Sequence, residues 1–193
     1  TIKINLPEGI YYPNDIKVRS VNNIGNPSND VTNGYKIIVD RTRPIIKLIG
    51  NEEINVHVKT GIYIEPGLNA IEVNSLIKKL ITITYTDSDS NVITNVIDRN
   101  YIDTNSNEIL DFYDKQLIAS NIDNSNLKTY ILTYEVTDEA ENRSHPIERI
   151  VNIVDYTPPV ITLLGPNPQY MSYQSEYKEY GATAVDDYDE DVS

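Results

Sequence analysis

A short stretch occurs twice in this chain, and its spacing limits the folds that are open to the whole sequence. Residues 154–165 read VDYTPPVITLLG and residues 39–50 read VDRTRPIIKLIG, and the two align without a gap. Their aspartates, Asp40 and Asp155, lie about 115 residues apart, and self-similarity at a fixed spacing is typical of repeated structural units. The spacing is close to the ~100 residues of one β-sandwich, so we expect a tandem array of such units.

The prolines in both copies predict a stiff connection between units. Pro44 stands in the first copy, and Pro158 and Pro159 stand in the second. Proline fixes its own φ, restricts the preceding residue to extended conformations and cannot donate a hydrogen bond to a sheet. One sheet is therefore expected to end at each copy and another to begin. We call residues 40–44 the first joint and residues 155–159 the second joint.

Short segments with alternating apolar and polar residues favour an antiparallel all-β fold. The clearest are residues 54–58 (INVHV), 80–86 (LITITYT) and 129–136 (TYILTYEV), which alternate or are rich in β-branched and aromatic residues. No window of helical length holds an apolar stripe, although residues 74–79 and 109–117 could each form a helical turn. Residues from Asp87 to about Gln116 are polar, and we expect them to be irregular.

Composition and charge exclude several classes of protein. The formal net charge is −13, which argues against a nucleic-acid partner because phosphate binding needs clustered Lys and Arg. The absence of cysteine excludes disulfides, thiolate catalysis and Cys-based zinc sites. No apolar run reaches the roughly 18 residues of a membrane helix, so we expect no membrane insertion in this segment. The chain has no Ser-His-Asp pattern, phosphate loop or HExxH motif, and we expect no enzyme activity.

Three motifs stand in a fixed order, and the first two of them occur twice. They are Asp-x-Thr-x-Pro before an apolar strand and a glycine, Tyr-x-Glu-x-Gly at 63–67 and 177–181, and Tyr-x-Leu-x-Tyr-x-Val-Thr-Asp-x-Ala-x-Asn at 130–142. With these motifs the chain resembles the tandem immunoglobulin-like repeats of bacterial and some viral surface proteins, a group similar to hyalin-type repeats. It departs from their pattern at Glu141, where Gly is usual, and at Leu68, where Ala is usual.

The resemblance implies an all-β chain of tandem immunoglobulin-like antiparallel β-sandwiches joined by short Pro-containing linkers. Residues 1–40 are predicted to be the C-terminal part of one repeat. Residues 41–155 are predicted to be a complete repeat with an insertion at about 87–117, and residues 156–193 the N-terminal part of a further repeat.

The implied function is a structural or adhesive segment of an extracellular protein on a cell or virion surface. A rod-like stack of repeats would act as a stalk, spacer or assembly module. Its expected partners are the neighbouring repeats of the same chain, other surface or virion proteins, and glycans. One alternative is a non-catalytic accessory module of a secreted carbohydrate-active enzyme, and another is a virion or filament subunit. A third is a ligand-binding adhesin, which predicts that the rings of Tyr101, Phe112 and Tyr113 face outward from the insertion.

Residues 103–114 (DTNSNEILDFYD) fit a calcium-binding loop at many positions. Oxygen ligands on alternate residues can turn towards one hard cation. The sixth position is Glu108, where the sharp turn of such loops has Gly. The alternative is a polar insertion whose Asn and Asp side chains make local turns. The predicted ligands are Asp103, Asn105, Asn107, the carbonyl of Ile109, Asp111 and Asp114.

Residues 186–191 (DDYDED) form a second acidic segment. Adjacent carboxylates repel one another unless water or a cation screens them. A cation here would be bound by Asp186, Asp187, Asp189 and Asp191, and could be shared with Asp155 in the second joint. The alternative is a solvated acidic loop. No organic cofactor is expected, and Ca²⁺ is the ion that both acidic segments favour.

Two smaller expectations concern single side chains and turns. His57 alternates in phase with Asn55 rather than with Val56 and Val58, so we expect it to face solvent. Residues 87–91 (DSDSN) are expected to form a hairpin turn.

Overall fold

A computed structural model describes residues 3–72, 76–87, 89–100 and 108–191 of the chain. Strands dominate it and one short helix is present, so the all-β prediction is confirmed. In chain order the elements are β1 (Gly9–Tyr11), β2 (Lys17–Val18), β3 (Val31–Thr32), β4 (Ile37–Val39), β5 (Ile45–Leu48), β6 (Glu53–His57), β7 (Leu68–Glu72), β8 (Leu76–Thr86), β9 (Val92–Asn100), α1 (Phe112–Ser120), β10 (Lys128–Asp138), β11 (Ile147–Val154), β12 (Val160–Leu163), β13 (Ala182–Asp186) and β14 (Glu190–Asp191).

The largest sheet has five strands in the order β6-β11-β10-β8-β9. Neighbouring strands are antiparallel except for β6, which runs parallel to β11. A two-stranded antiparallel sheet, β5 with β7, lies apart from it in hydrogen bonding. Both sheets and α1 contribute to one hydrophobic core, which is formed by Ile46, Val56, Val58, Tyr63, Leu68, Ile81, Ile83, Ile97, Ile109, Leu110, Ile118, Tyr130, Leu132, Tyr134, Val136, Val151 and Ile153.

The alternation that predicts β10 also decides which of its faces is buried. Tyr130, Leu132, Tyr134 and Val136 are buried, and the residues between them are more exposed. Side chains alternate across a strand, so one face of β10 faces the core along its whole length. The two tyrosines on this face therefore pack in the interior.

The ends of the chain form small, open sheets. Residues 3–40 contain two strand pairs, β1 with β4 and β2 with β3. Residues 160–191 contain the three-stranded sheet β12-β13-β14. The core cluster of buried side chains takes no member from residues 3–40 or 160–191. Of the described residues in these end segments, only Tyr188 packs against that cluster, and it is partly buried.

The sequence repeat is reproduced in strand pairing. After the first joint, β5 pairs with β7 so that Ile46 lies opposite Ala70. After the second joint, β12 pairs with β13 so that Ile161 lies opposite Ala184. These residues are equivalent in the alignment of the two copies, and the register is the same through three successive pairs; it differs at Ile45, which lies opposite Glu72 across a bulge.

The joints themselves have the same turn. The Asp40 carboxylate accepts a hydrogen bond from the N–H of Thr42 at 2.8 Å. The Asp155 carboxylate accepts one from the N–H of Thr157 at 2.9 Å. An aspartate that bonds to the backbone two residues on forms a local turn without other support. The Asp-x-Thr motif therefore fixes the direction in which the chain leaves each preceding strand.

A hairpin turn also recurs, at Asn22–Asn26 and at Asp138–Asn142. In each, the first side chain accepts hydrogen bonds from the backbone N–H groups of the third and fifth residues. The fourth residue has positive φ, +90° at Gly25 and +67° at Glu141. This backbone region favours glycine, so Glu141 stands at a position where a glycine would be less strained.

The described residues between Asp87 and Gln116 are more regular than their polarity predicts, and for them the expectation of an irregular segment is wrong. Its first part is a hairpin turn, as expected, in which Asp87 accepts from the N–H groups of Asp89 and Asn91. The chain then forms β9, which pairs with β8 along its length. Burial along β9 is limited because it lies at the edge of the sheet, and its sequence signal is correspondingly weak.

Two further expectations for secondary structure have different outcomes. The helical turn expected at 109–117 is present, shifted along the chain, as α1. The helical turn expected at 74–79 is wrong where it can be compared, because β8 already begins at Leu76. Residues 74 and 75 lie outside the described residues.

Candidate metal centre at the second joint

His57 and four aspartates come together where the chain passes through the second joint. We call His57, Asp155, Asp186, Asp187 and Asp189 the joint cluster. His57 ends β6, Asp155 opens the joint, and the other three lie in and after the end of β13. The cluster forms because β6 runs beside β11, the strand that leads into the joint.

His57 is buried, with 7% of its surface exposed, so the expectation that it faces solvent is wrong. The strand alternation ends at this residue, and Val56, His57 and Val58 are all buried. The ring of Tyr156 packs edge-on against the imidazole, with ring centroids 4.5 Å apart. Burial here comes from the joint folding over the strand end, which the local sequence pattern does not contain.

The hydrogen bonds of His57 identify its tautomer. Its Nδ1 lies 2.8 Å from the carbonyl oxygen of Val58. A carbonyl can only accept a hydrogen bond, so Nδ1 carries a proton. Its Nε2 lies 2.6 Å from the hydroxyl of Thr157 and can accept from it. A metal-binding histidine is commonly oriented in this way, with the second nitrogen donating to a carbonyl.

Carboxylates surround the Nε2 nitrogen. Asp155 Oδ1 lies 3.5 Å from it and Asp187 Oδ2 lies 3.6 Å from it. The candidate ligand atoms of these three residues all lie within 4.8 Å of one another, and so do those of Asp155, Asp186 and Asp189. Asp155 belongs to both groups, and the idea that it shares an ion with the acidic segment stays a prediction.

The backbone stabilises the charge of Asp186. Its Oδ1 accepts hydrogen bonds from the N–H groups of Tyr188 at 2.8 Å and Asp189 at 3.2 Å. These bonds, first that of Tyr188, hold the pKa of the Asp186 carboxyl below its ordinary value. The carboxylate therefore stays ionised at neutral pH and contributes negative charge to the joint cluster.

Lys59, which follows β6, contacts the backbone of the second acidic segment. Its Nζ donates to the carbonyl oxygens of Asp187 at 3.2 Å and Tyr188 at 3.1 Å. It also lies 5.1 Å above the ring of Tyr188. The loop is therefore tied to residues that follow β6, which adds a second contact across the joint beside that of His57.

The donor set of the joint cluster fits two kinds of ion. Carboxylate oxygens suit hard cations such as Ca²⁺, and an imidazole nitrogen with carboxylates suits Zn²⁺ and similar metals. Of the predicted ligands in this segment, Asp186, Asp187 and Asp189 lie in the cluster. Asp191 belongs to β14, and its side chain lies outside the described residues. Metal binding here stays a prediction.

The first acidic segment is only partly described. Asp103, Asn105 and Asn107 lie outside the described residues, so the predicted loop geometry stays untested. Ile109 is buried in the core, and its N–H donates to the carbonyl of Leu68. The carbonyl of Ile109 lies 3.4 Å from Lys79 Nζ.

Asp111 and Asp114 stand at the beginning of α1 rather than in an open loop. Asp111 is the N-cap, and the side chains of the two residues bond reciprocally to each other's backbone N–H. Asp114 is completely buried and contacts Lys79, while its Oδ1 lies 3.3 Å from Arg99 Nε. Both carboxylates therefore already face protein cations, which the sequence reasoning missed.

A second buried ionic group lies under β10 and β11. Glu65 accepts hydrogen bonds from the hydroxyls of Tyr63 at 2.5 Å and Tyr134 at 2.6 Å. Arg149 Nη2 lies 3.4 Å from the same carboxylate, and both charged residues are almost inaccessible. The signal for Arg149 was present in the sequence, because it is in phase with the core residues Val151 and Ile153 on β11.

No family model matches this chain, and no curated protein or solved structure matches it significantly. In the part of the chain that the structure describes, no helix is long and apolar enough to cross a bilayer.

Proposed function

We propose that this chain is a structural segment of a cell-surface or virion-surface protein. In this proposal it is a stack of immunoglobulin-like β-sandwich repeats and acts as a stalk, spacer or assembly module. The observation that carries the proposal is the repeated joint. Each joint has the same Asp-x-Thr turn, and the strand pair after it has the same register. A connection built twice in the same way is expected of a chain that repeats one unit along a line.

The topology of residues 45–154 supports the immunoglobulin-like part of the proposal. A five-stranded sheet and a separate two-stranded sheet share one core, as the two sheets of a sandwich do. Strands β10 and β11 lie side by side within the larger sheet, with β6 next to β11 and β8 next to β10. The parallel pairing of β6 with β11 closes one edge of that sheet.

Side-chain contacts across both joints support a stiff array rather than a flexible one. At the first joint, the amide of Asn142 donates to the carbonyl of Asp40 at 3.0 Å, and Lys36 pairs with Glu139 at 3.2 Å. At the second joint, the bond between His57 and Thr157 lies largely out of solvent. Lys36 and Glu139 lie on opposite sides of the first joint, and each of the other two contacts ties a residue of a joint to the unit between the joints, so bending at a joint would break them.

A distance measurement across the second joint tests the proposal. The chain has no cysteine, so cysteines introduced at the exposed residues Asn126 and Glu176 can carry spin labels without background. Double electron–electron resonance should give a narrow distribution of the distance between the two labels in the otherwise unchanged chain. His57→Ala should broaden it, because the buried contact with Thr157 is lost.

The other histidine provides the control for this measurement. His145 is exposed, and His145→Ala should leave the distribution narrow. A distribution that is broad in the unchanged chain, or that does not respond to His57→Ala, would contradict a joint stiffened by these contacts.

The same labelled sample tests the calcium hypothesis. If the joint cluster binds Ca²⁺, adding Ca²⁺ after chelation narrows the distance distribution, and Asp155→Asn removes this response.

A second candidate function, adhesion through the insertion, is favoured by two exposed rings. Phe112 and Tyr113 are 66% and 70% exposed at the start of α1, as the adhesin alternative requires. Tyr101 lies outside the described residues. Phe112 lines a groove of about 440 Å³ together with Ile62 and Ile64. Aromatic rings presented beside a groove are typical of ligand sites.

Adhesion can be separated from a purely mechanical role by removing the rings. Phe112→Ala with Tyr113→Ala should abolish binding to glycans or to a host surface if the groove is an adhesive site. Because both rings are exposed, the free energy of unfolding should change by less than about 0.5 kcal/mol. Binding that survives the double substitution would exclude this site.

A further inference from the structure

The strand pair β2–β3 is built like the strand pair β10–β11. Both pairs are antiparallel, and each flanks one copy of the recurring hairpin turn. Their partnered positions correspond at one constant shift along the chain. The corresponding partners are Lys17–Thr32 with Thr133–Glu148, Val18–Val31 with Tyr134–Ile147, and Val21–Pro27 with Thr137–Arg143. Strands β2 and β3 are therefore the equivalent of β10 and β11, and we call them the covering pair.

The strand pair β12–β13 is the equivalent of β5–β7, but its apolar face is uncovered. Ile161 on β12 corresponds to Ile46 on β5. Ile46 is 6% exposed in the core, whereas Ile161 is 70% exposed. Leu163 lies on the same face of β12, two residues on, and is exposed as well. We call β12 and β13 the open pair.

The unit between the joints shows what covers a strand pair of this kind. Arg149 on β11 donates to the carbonyl oxygens of Ile49 at 2.9 Å and Gly67 at 3.3 Å, which adjoin β5 and β7. Tyr134 on β10 and Leu68 on β7 are buried in the same core. Strands β10 and β11 thus cover β5 and β7, so an equivalent of β10–β11 fits the open pair.

The covering pair has an uncovered apolar face of its own. Val18 and Val31 lie directly opposite each other, so their side chains share a face. Val31 is 71% exposed. In the unit between the joints, the corresponding Tyr134 is buried and Ile147 packs against the core. The chain therefore presents two apolar faces whose equivalents are packed into one core in its middle unit.

The charges of the two segments favour contact between unlike faces. Residues 3–39 carry four basic and three acidic side chains, and residues 160–191 carry one basic and seven acidic side chains. Two open pairs would bring like charges together, which costs free energy at an interface. An open pair and a covering pair avoid this repulsion. The charge distribution thus disfavours a symmetric dimer through the open pair.

We propose that the open pair of one copy of this chain is covered by the covering pair of a second copy. The composite unit lies between the second joint of one copy and the first joint of the next, as residues 45–154 lie between the two joints of a single copy. Each contact uses two different surfaces and leaves one of each free, so the copies associate head to tail along a line. The inference rests on the stacked repeats of the proposed function and adds the partner, a further copy of this chain.

The composite unit differs from the middle unit at the glutamate of the Tyr-x-Glu-x-Gly motif. Val18 stands in the covering pair where β10 has Tyr134. Asn33 stands where β11 has Arg149. The covering pair therefore brings neither a tyrosine hydroxyl nor a cation to Glu179. The contact is formed by the apolar faces, and Glu179 stays at the surface.

Sedimentation of the full chain over a range of concentrations tests the proposal. We expect the average mass to rise past that of a dimer, because a head-to-tail contact does not close. Val31→Asp places a carboxylate on the face of the covering pair, and Ile161→Asp places one on the open pair, where an apolar partner cannot solvate it. Each variant alone should stay monomeric. Val92→Asp is the matched control at an equally exposed residue outside both faces, and it should associate as the unchanged chain does.

A mixture of the two blocked variants distinguishes a head-to-tail contact from any other. Val31→Asp keeps its open pair and Ile161→Asp keeps its covering pair, so an equimolar mixture should form dimers and no larger species. A substitution that disrupts its own strand pair does not disturb this result, because the mixture uses only the other face of each variant.

Three outcomes would overturn the proposal. They are an unchanged chain that is monomeric at every concentration, a blocked variant that still associates alone, and a mixture that stays monomeric. None of them affects the proposed function, because the spin-label distances across the second joint are measured within one chain. A broad distance distribution together with head-to-tail association would instead contradict the stiff joint and leave the contact between copies in place.

Discussion

The motif Tyr-x-Glu-x-Gly occurs at residues 63–67 and 177–181, and the two copies have the same local bonds in different surroundings. In each, the glutamate accepts hydrogen bonds from the tyrosine hydroxyl and from the N–H of the glycine. The first copy is buried, with Glu65 2% exposed. The second copy lies at the surface, with Tyr177 62% exposed. Local sequence therefore determines the bonds, and distant strands determine the burial.

The first copy is buried because β10 and β11 cover it. Tyr134 on β10 adds a third hydrogen bond to Glu65, and Arg149 on β11 adds a countercharge. Among the described residues, no strand pair covers residues 177–181 in this way. The same glutamate is thus a structural centre in one copy and a surface residue in the other.

The difference also changes why the tyrosines resist ionisation. Burial is the largest cause of the raised pKa of Tyr63, with the charge of Glu65 second. At Tyr177 the hydrogen bond to Glu179 is the largest cause. The same residue type thus has a pKa shifted in the same direction for two physical reasons, desolvation in the core and a local acceptor at the surface.

The largest effect is expected when Arg149, the countercharge of Glu65 in the buried copy, is replaced by a neutral residue. Arg149→Met leaves the Glu65 carboxylate in the core without its countercharge, and should lower the free energy of unfolding by roughly 3–5 kcal/mol. Urea unfolding measures this change. Arg143→Met is the matched control on an exposed site, with an expected loss of under about 0.5 kcal/mol. If the loss of unfolding free energy in Arg149→Met is as small as that in Arg143→Met, Arg149 is not needed inside the core.

Neutralising the glutamate in each copy compares the two surroundings directly. Glu65→Gln leaves Arg149 buried without a countercharge and should cost about 3 kcal/mol of unfolding free energy. Glu179→Gln changes an exposed site and should leave the free energy of unfolding nearly unchanged. Thermal or urea unfolding of the two variants gives the difference. If Glu179→Gln is as destabilising as Glu65→Gln, the second copy is also buried in solution and the comparison fails.

Removing the tyrosine hydroxyl is expected to have an intermediate effect. Tyr63→Phe removes a buried hydrogen bond to a charged acceptor, which is worth about 1.5 kcal/mol or more. Tyr177→Phe removes the equivalent bond at the surface, where water replaces it, and should leave the free energy of unfolding nearly unchanged. Both values follow from urea unfolding. A larger loss for Tyr177→Phe would reverse the order that burial predicts.

The smallest effect concerns acid pH at the exposed copy. The hydroxyl of Tyr177, followed by the N–H of Gly181, holds the pKa of Glu179 below its ordinary value of 4.5. A lowered pKa means that this group stabilises the fold above its ordinary pKa, and that the contribution is lost as the pH falls through the lower folded value. NMR titration should find the lowered pKa, and Tyr177→Phe should raise it. An unchanged pKa in that variant would show that the hydroxyl does not stabilise the charge.

The sequence predicted the strands well where a buried face alternates over many residues, as on β8 and β10. It failed at β9, because an edge strand buries little and carries a weak pattern. It also failed at His57, whose phase in β6 indicates solvent while the second joint covers it. Periodicity reports the surroundings that a regular element has along its length, and it loses this meaning where another part of the chain crosses an element's end.

The acidic segments illustrate the same limit at the candidate site. Their sequences predicted carboxylates close together, and Asp155 does lie beside Asp186, Asp187 and Asp189, while the ion that they were expected to share stays a prediction. The cations that meet Asp111 and Asp114 were not predicted. Lys79 and Arg99 come from the strand pair β8–β9, and pairing between distant residues is not visible in the pattern of either segment alone.

The sequence by itself determined the repeat, the turns at both joints, the hairpin turns and the inward face of the long strands. These features depend on residues that are close in the chain, such as an aspartate and the N–H groups that follow it. Only the tertiary structure decided which charged groups are buried, which of them meet, and which copy of a repeated motif is covered. Burial and electrostatics depend on every group within a few ångströms, and chain folding brings those groups from distant positions.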